Sequence, residues 1–204
     1  MLLAMNEHFD ETIREVDDFL VGKSKVHRTL ERLRRSCEDA GVEIALAGAL
    51  AVAEYGHLRL TVDVDVVVSE DGLRRFKERW LGRGYVEKFS GSRGVRDAET
   101  QVQIDFLLTG EFPGDGKPKP VRFPDPANIP KAPGALRVLD LRTLIELKLA
   151  SGISAPDRLQ DLADVVALVR ANRLPVAFAD NLDPSVRDKF TELWHAANTP
   201  SRES

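Results

Sequence analysis

Cysteine is almost absent from the 204-residue chain: Cys37 stands alone, with no Cys or His partner at metal-ligand spacing. An internal disulfide is therefore excluded and a zinc knuckle has no ligand set. The residue reads as a small buried apolar group on a helix, in a reduced, cytoplasmic setting. Long apolar runs are also missing. The stretch Ile44 to Ala53 carries no charge, but it is about half of the ~20 residues that a membrane-spanning helix needs. Met1 to Met5 are apolar, yet Glu7, Asp10 and Glu11 follow at once, without the basic start and cleavage site of a secretory signal. Neither sign of charge dominates: 29 Lys plus Arg face 33 Asp plus Glu, a formal charge of −4. The chain as a whole is thus no electrostatic binder of nucleic acid or acidic membrane. A P-loop lysine motif, a dinucleotide glycine fingerprint, the context of a Ser-His-Asp triad and internal repeats are all lacking.

What is present is the composition of a globular protein, 43% hydrophobic and 30% charged. At this length roughly 70% of the unfolded surface can be buried, so a core forms without covalent or metal staples. Phe9, Ile13, Val16, Phe19 and Leu20 recur at helical spacing, as do Val26, Leu30, Leu33 and Cys37 between the capping residue Ser24 and Gly41. Lys23, Lys25, Arg28, Arg32, Arg34 and Arg35 are interleaved with Glu31, Glu38 and Asp39, which reads as a solvated helix face rather than an RNA-binding one.

Val42 to Leu46 is expected to be a strand, Gly48 the start of a helix ending at Gly56, and Leu60 to Val68 a strand rich in β-branched residues. A helix through Leu73, Phe76 and Trp80 follows, then strands at Tyr85 to Phe89 and Val102 to Leu108, with Gly91 to Arg96 as hairpin between them. Thr109 to Pro133 is dense in Pro and Gly and reads as a long connecting loop. Three helices close the chain, through Leu141 to Leu149, Leu159 to Val169, and Val186 to Trp194 after the cap Asp183 and Pro184. Trp80 and Trp194 occupy apolar helical positions and read as core. The expected fold class is α/β (α+β): a small mixed sheet flanked by helices. Residues 1–40 form N-terminal helices, 41–138 the α/β domain, 139–198 a helical region, and 199–204 a tail.

The chemistry concentrates in the run 60–68, Leu-Thr-Val-Asp-Val-Asp-Val-Val-Val. Side chains alternate across a strand, so Thr61, Asp63 and Asp65 share one face and Val62, Val64 and Val66 the other. Asp is disfavoured in strands, and two like charges side by side need a neutralising cation. Hard oxygen donors suit Mg²⁺ bridging to phosphate. A solvated edge strand is the alternative. Gln101, Gln103 and Asp105 likewise share a face of the later strand, so Asp105 can stand beside Asp63 and Asp65. Three convergent carboxylates meet the needs of a two-metal phosphoryl-transfer site. Gly48 at a helix opening offers backbone N–H groups for a phosphate, or simply close packing on the sheet.

The run Ala47-Gly48-Ala49-Leu50-Ala51-Val52, followed by Gly56, Arg59-Leu60-Thr61 and Asp63-Val-Asp65, resembles the signature of the nucleotidyltransferase superfamily. In particular it resembles the bacterial branch related to the AbiEii toxins and neighbouring uncharacterised families. Leu144-Ile-Glu-Leu-Lys148-Leu-Ala and Arg158-Leu-Gln-Asp161-Leu-Ala-Asp164 are similar to the lysine and Arg/Lys-x-x-Asp-x-x-Asp segments of that branch. The resemblance spans Gly41 to about Arg170. It implies a nucleotidyltransferase-like fold, Gly48 and Ala49 at the nucleotide phosphates, Asp63, Asp65 and Asp105 as catalytic residues on two Mg²⁺ (or Mn²⁺) ions, and Asp161 as a rival catalytic base. Ala49 stands where many active members carry a serine, whose contact to a charged group would contribute ~1.5–3 kcal/mol.

Arg59 and Lys148 are the cations expected to steady the triphosphate, with Thr61 on the same strand face. For Arg158, Asp161 and Asp164, at i, i+3 and i+6, an Arg–Asp ion pair that fixes the helix is equally open. The expected reaction moves a nucleoside monophosphate from an NTP to an acceptor hydroxyl. The resemblance to the toxin branch implies RNA as acceptor, in particular a tRNA 3′ end as in toxin–antitoxin systems, with a cognate antitoxin as a further partner; the resemblance to the wider superfamily implies a small molecule or protein side chain. The competing expectation is a catalytically silent module that binds nucleotide or a protein.

Overall fold

The computed structural model describes residues 14–132 and 134–199. Phe9 and Ile13 of the first expected helix, Met1 to Met5 and most of the expected tail lie outside them. Residues 14–20 are helical (α1), and α2 (Lys25–Asp39) turns Val26, Leu33 and Cys37 inward. Three of its arginines are spent on the protein's own carboxylates, and Arg28 donates to the Lys23 carbonyl. Arg34 and Arg35 bond Glu31 one turn away, while Arg32 reaches Asp97 at 2.8 Å. A solvated, self-paired face is what the mixed charge pattern implied.

Six strands form one mixed sheet in the order β3-β4-β5-β2-β1-β6. They are β1 (Ile44–Leu46), β2 (Asp63–Val68), β3 (Tyr85–Glu87), β4 (Val95–Asp97), β5 (Gln103–Leu108) and β6 (Arg137–Val138). β2 pairs parallel with β5 and antiparallel with β1, so the valine-rich strand sits in the middle of the sheet. Its Val64, Val66, Val67 and Val68 are fully buried, which favours a central position. Helices α3 (Gly48–Glu54) and α4 (Glu70–Trp80) follow β1 and β2. Ser69 caps α4, its hydroxyl accepting from the Gly72 N–H at 3.0 Å. Both tryptophans pack partly buried, their indole N–H groups donating to the carbonyls of Ser36 and Leu174.

Several expected boundaries shift. β2 begins at Asp63 rather than Leu60, because pairing with β5 begins there: Asp63 faces Gln103, the first residue of β5. Residues 58–62 run in to it without sheet pairing, with Val62 83% exposed. β3 stops at Glu87, leaving Phe89 exposed. The stretch read as a hairpin supplies a strand of its own, β4, and β6 was not anticipated at all. With two residues it is too short to leave a periodic pattern. Between 109 and 132 the chain holds one short 3₁₀ turn, Pro126–Asn128, and otherwise runs irregularly, as its prolines require.

The C-terminal helices are α5 (Leu141–Ser154), α6 (Leu159–Ala171) and α7 (Pro184–Asn198). The Asp183 carboxylate caps α7 by accepting from Ser185 N–H at 2.9 Å, and the helix runs to Asn198, the last residue of the expected helical region. Leu144, Ile145 and Leu149 of α5, Leu168 of α6 and Phe190 of α7 are buried in the same apolar core as the sheet. Among the described residues no helix is long and apolar enough to cross a membrane.

Candidate active site

Parallel pairing of β2 with β5 sets Asp65 directly opposite Asp105, with Asp63 opposite Gln103. The period-two alternation then turns all three carboxylates to one face while the valines and Ile104 turn into the core. One oxygen from each of Asp63, Asp65 and Asp105 lies within 4.8 Å of the others, and all three side chains are half-buried. Such crowding has an electrostatic signature. Burial, then the neighbouring charges of Asp63 and Asp105, push the Asp65 carboxyl up to about 7, against the milder pull of Lys148 and Arg158.

Gly48 is shaped by this crowding. Its φ is +59°, and a Cβ there would lie 1.9 Å from Asp65 Oδ2 and 2.8 Å from Asp65 Cβ. The turn from β1 into α3 thus presents bare backbone against the acidic cluster, and any larger residue would displace Asp65. The seven-residue α3 is short, and what Gly48 demonstrably provides is room for the carboxylate.

The carboxylates line a cleft of about 830 Å³ together with Gly48, Ala49, Arg59, Thr61, Lys148 and Asp161. Every site residue expected from the sequence therefore reaches one cavity. Their roles in it differ from the simplest expectation. Thr61 precedes the strand rather than lying in it, and its hydroxyl donates to Asp63 Oδ1 at 2.5 Å. Arg59 and Lys148 are turned toward α6. Arg59 forms a forked pair with Asp164, Nε–Oδ1 2.8 Å and Nη2–Oδ2 3.1 Å. Lys148, only 5% exposed, donates to Asp164 Oδ2 at 2.6 Å and to Asp161 Oδ1 at 3.0 Å. Ser151 closes the network on Asp161 Oδ2 at 2.6 Å.

Asp164 is fully buried. Burial alone would raise its carboxyl, but Lys148, Arg59 and Gln160 together hold it below the ordinary carboxylate range. The ion pairs that fix α6 are thus made by Lys148 and Arg59, not by Arg158, the residue that precedes the helix. Arg158 stays exposed on the cleft wall, where its charge reaches Asp65.

No family model matches the chain, and no curated protein does. Among solved structures it is similar to the aminoglycoside nucleotidyltransferase ANT(2″)-Ia, in complex with adenylyl-2″-tobramycin, with a TM-score of 0.39. The two are 10% identical over 84% of this chain and 88% of that one. This is a distant likeness.

Two basic residues at the site were missed by sequence reasoning. Lys88 Nζ lies 2.7 Å from Asp105 Oδ1, and Arg93 lines the cleft while pairing with Glu111 at 2.5 Å. Both lie on the β3–β4 connection, whose course depends on strand pairing rather than on any local pattern. The cleft also opens into a more apolar compartment of about 330 Å³ floored by Leu144 and Leu147 of α5 and walled by Phe106, Phe112 and Phe123. Its loop wall is pinned to α5: Lys119 Nζ donates to Ser154 Oγ at 2.9 Å, and a Cβ at Gly114 would lie 2.3 Å from that oxygen.

Proposed function

We propose that this cleft transfers a nucleoside monophosphate group from an NTP to an acceptor hydroxyl, releasing pyrophosphate, and that the chain is a nucleotidyltransferase of the AbiEii-like branch. The observation that carries the reading is the convergence of Asp63, Asp65 and Asp105 from two parallel strands onto the floor of an open cleft. The donor set fits Mg²⁺: hard carboxylate oxygens, close together, where burial and then mutual repulsion push Asp65 up to about 7. Asp63, Asp65 and Asp105 would hold the ions, Mg²⁺ or Mn²⁺. When bound, they supply charge neutralisation and electrophilic activation at the reacting phosphate.

The chain's own residues do the rest. Arg93 and Arg158 on the cleft wall steady the leaving phosphates. They take over much of the role expected of Arg59 and Lys148, which act by holding α6, Arg59 against the run-in to β2 and Lys148 against α5. Gly48 and Ala49 border the floor, where the absence of bulk lets the phosphates approach Asp65. Thr61 fixes the orientation of Asp63. Asp105, which stands in the cluster with Asp63 and Asp65, receives the proton of the acceptor hydroxyl, ahead of Asp161, which lies outside the cluster and is bonded to Lys148 and Ser151. A cleft of about 830 Å³ is of the size that encloses small ligands. A tRNA 3′ end or a small molecule is the acceptor, in the cytoplasm, and a cognate antitoxin protein would act by covering the cleft.

The test is a transfer assay with each α-³²P-labelled NTP, Mg²⁺ or Mn²⁺, and host RNA, protein and metabolite fractions, beside Asp63→Asn. Label entering one fraction with wild type alone supports the reading. Mg²⁺-dependent NTP binding without transfer to any fraction would instead make the chain a silent nucleotide-binding module.

A further inference from the structure

We propose that Lys88 is the resident counter-ion of the acidic cluster, and that a divalent cation must take its place on Asp105 in order to bind. This rests on the metal-dependent reading of the cleft. Asp105 has both oxygens occupied: Oδ1 accepts from Lys88 Nζ at 2.7 Å and Oδ2 from Gln103 Nε2 at 3.0 Å. Lys148, the nearby buried cation, is spent on the two carboxylates of α6. Lys88 is thus the ammonium in direct contact with the cluster. It offsets repulsion among three carboxylates that would otherwise destabilise the metal-free protein.

The placement is built into the fold. Lys88 follows the last residue of β3, and the loop after it is braced from both ends. Lys77 of α4 donates to Glu87 Oε1 at 2.8 Å and to the Ser92 carbonyl; Gly91 N–H donates to Glu87 Oε2 at 3.2 Å; Ser92 Oγ donates to the Gly94 carbonyl at 3.0 Å. Gly94 lacks the positive φ that would by itself call for glycine. A Cβ there would nevertheless lie 2.7 Å from Asp105 Oδ1 and 3.1 Å from Lys88 Cε, so its bareness lets ammonium and carboxylate meet. The pair stays open to solvent, with the Lys88 and Asp105 side chains 24% and 34% exposed. A long, flexible lysine can therefore swing off without unfolding anything, and ammonium and metal ion compete for the same oxygen.

Mn²⁺ titration of the nucleotide-free protein, followed by EPR and calorimetry, tests this without any turnover. Lys88→Met is expected to bind Mn²⁺ about tenfold more tightly than wild type, the scale of one charge-assisted hydrogen bond. It should also melt earlier than wild type in EDTA and gain more on adding metal. Lys88→Arg, which keeps the charge and can fork onto Asp105, is expected to match wild type or bind Mn²⁺ more weakly. Unchanged or weaker Mn²⁺ binding by Lys88→Met overturns the exchange proposal and leaves the proposed function standing. Absence of Mn²⁺ binding by wild type overturns both.

Discussion

Replacing Gly48 with alanine should damage stability and metal binding together, through one atom. The added Cβ would sit 1.9 Å from Asp65 Oδ2, 2.7 Å from Cγ and 2.8 Å from Cβ. Rotating the carboxylate cannot relieve the last of these contacts, because Asp65 Cβ is fixed to the central strand. Either α3 moves off the sheet or Asp65 leaves the cluster. A left-handed backbone at φ +59° costs an alanine roughly 1–2 kcal/mol, and overpacking a tight site about 1–3 kcal/mol more. The sum, roughly 2–5 kcal/mol, corresponds to a fall of about 5–15 °C in melting temperature for a chain of this size. Thermal melts in EDTA and in Mn²⁺ give both quantities. A Gly48→Ala protein that melts within a degree or two of wild type and keeps its Mn²⁺ affinity would refute the steric account of this turn.

Other outcomes follow from the same geometry. Asp65 titrates near 7 when folded, raised mainly by burial, against an ordinary value near 4. The folded state therefore keeps a proton that the unfolded chain has already lost. The resulting stability is complete below pH 4, declines as pH rises, and is gone above about 7. In EDTA, Asp65→Asn should flatten that decline, and a wild-type melting temperature no lower at pH 8 than at pH 5.5 would contradict it. Asp164→Ala leaves Lys148 and Arg59 facing an empty carboxylate position in a fully buried site and should cost about 3–5 kcal/mol in urea unfolding. A loss below 1 kcal/mol would show that the network is not what holds α6. Burial pushes the Cys37 thiol up to about 12, so native protein should resist a thiol reagent at pH 8 and react fully in guanidinium. Rapid native labelling would contradict its packed position.

The candidate site was legible wherever chemistry and period coincided. Asp63 and Asp65 break a valine run at period two, which local sequence displays. Asp105 shares the polar face of its own alternating strand, and the glycine that opens α3 was readable as a close approach, though not as one made to Asp65. Arg59 and Lys148 were readable as cations near the aspartates, and both line the cleft, but their pairing with Asp164 was not. Choosing between a phosphate and Asp164 as partner requires knowing that α5 and α6 pack side by side, and that Asp161 and Asp164 both turn toward Lys148. Lys88 and Arg93 carry no local signal, since each is one basic residue in a polar stretch.

By itself the sequence determined the helices, the two long strands, the proline-rich connection and the facing of each aspartate, because these follow from interactions among residues a few positions apart. Register belongs to the tertiary structure. Only the parallel pairing of β2 with β5 sets Asp65 against Asp105, and only the β3–β4 hairpin carries Lys88 onto that carboxylate. A one-residue slip would leave every local pattern intact and turn Asp105 into the core. What forbids the slip is the burial of Ile104 and Phe106 against the valines, a term that exists only once the chain has folded.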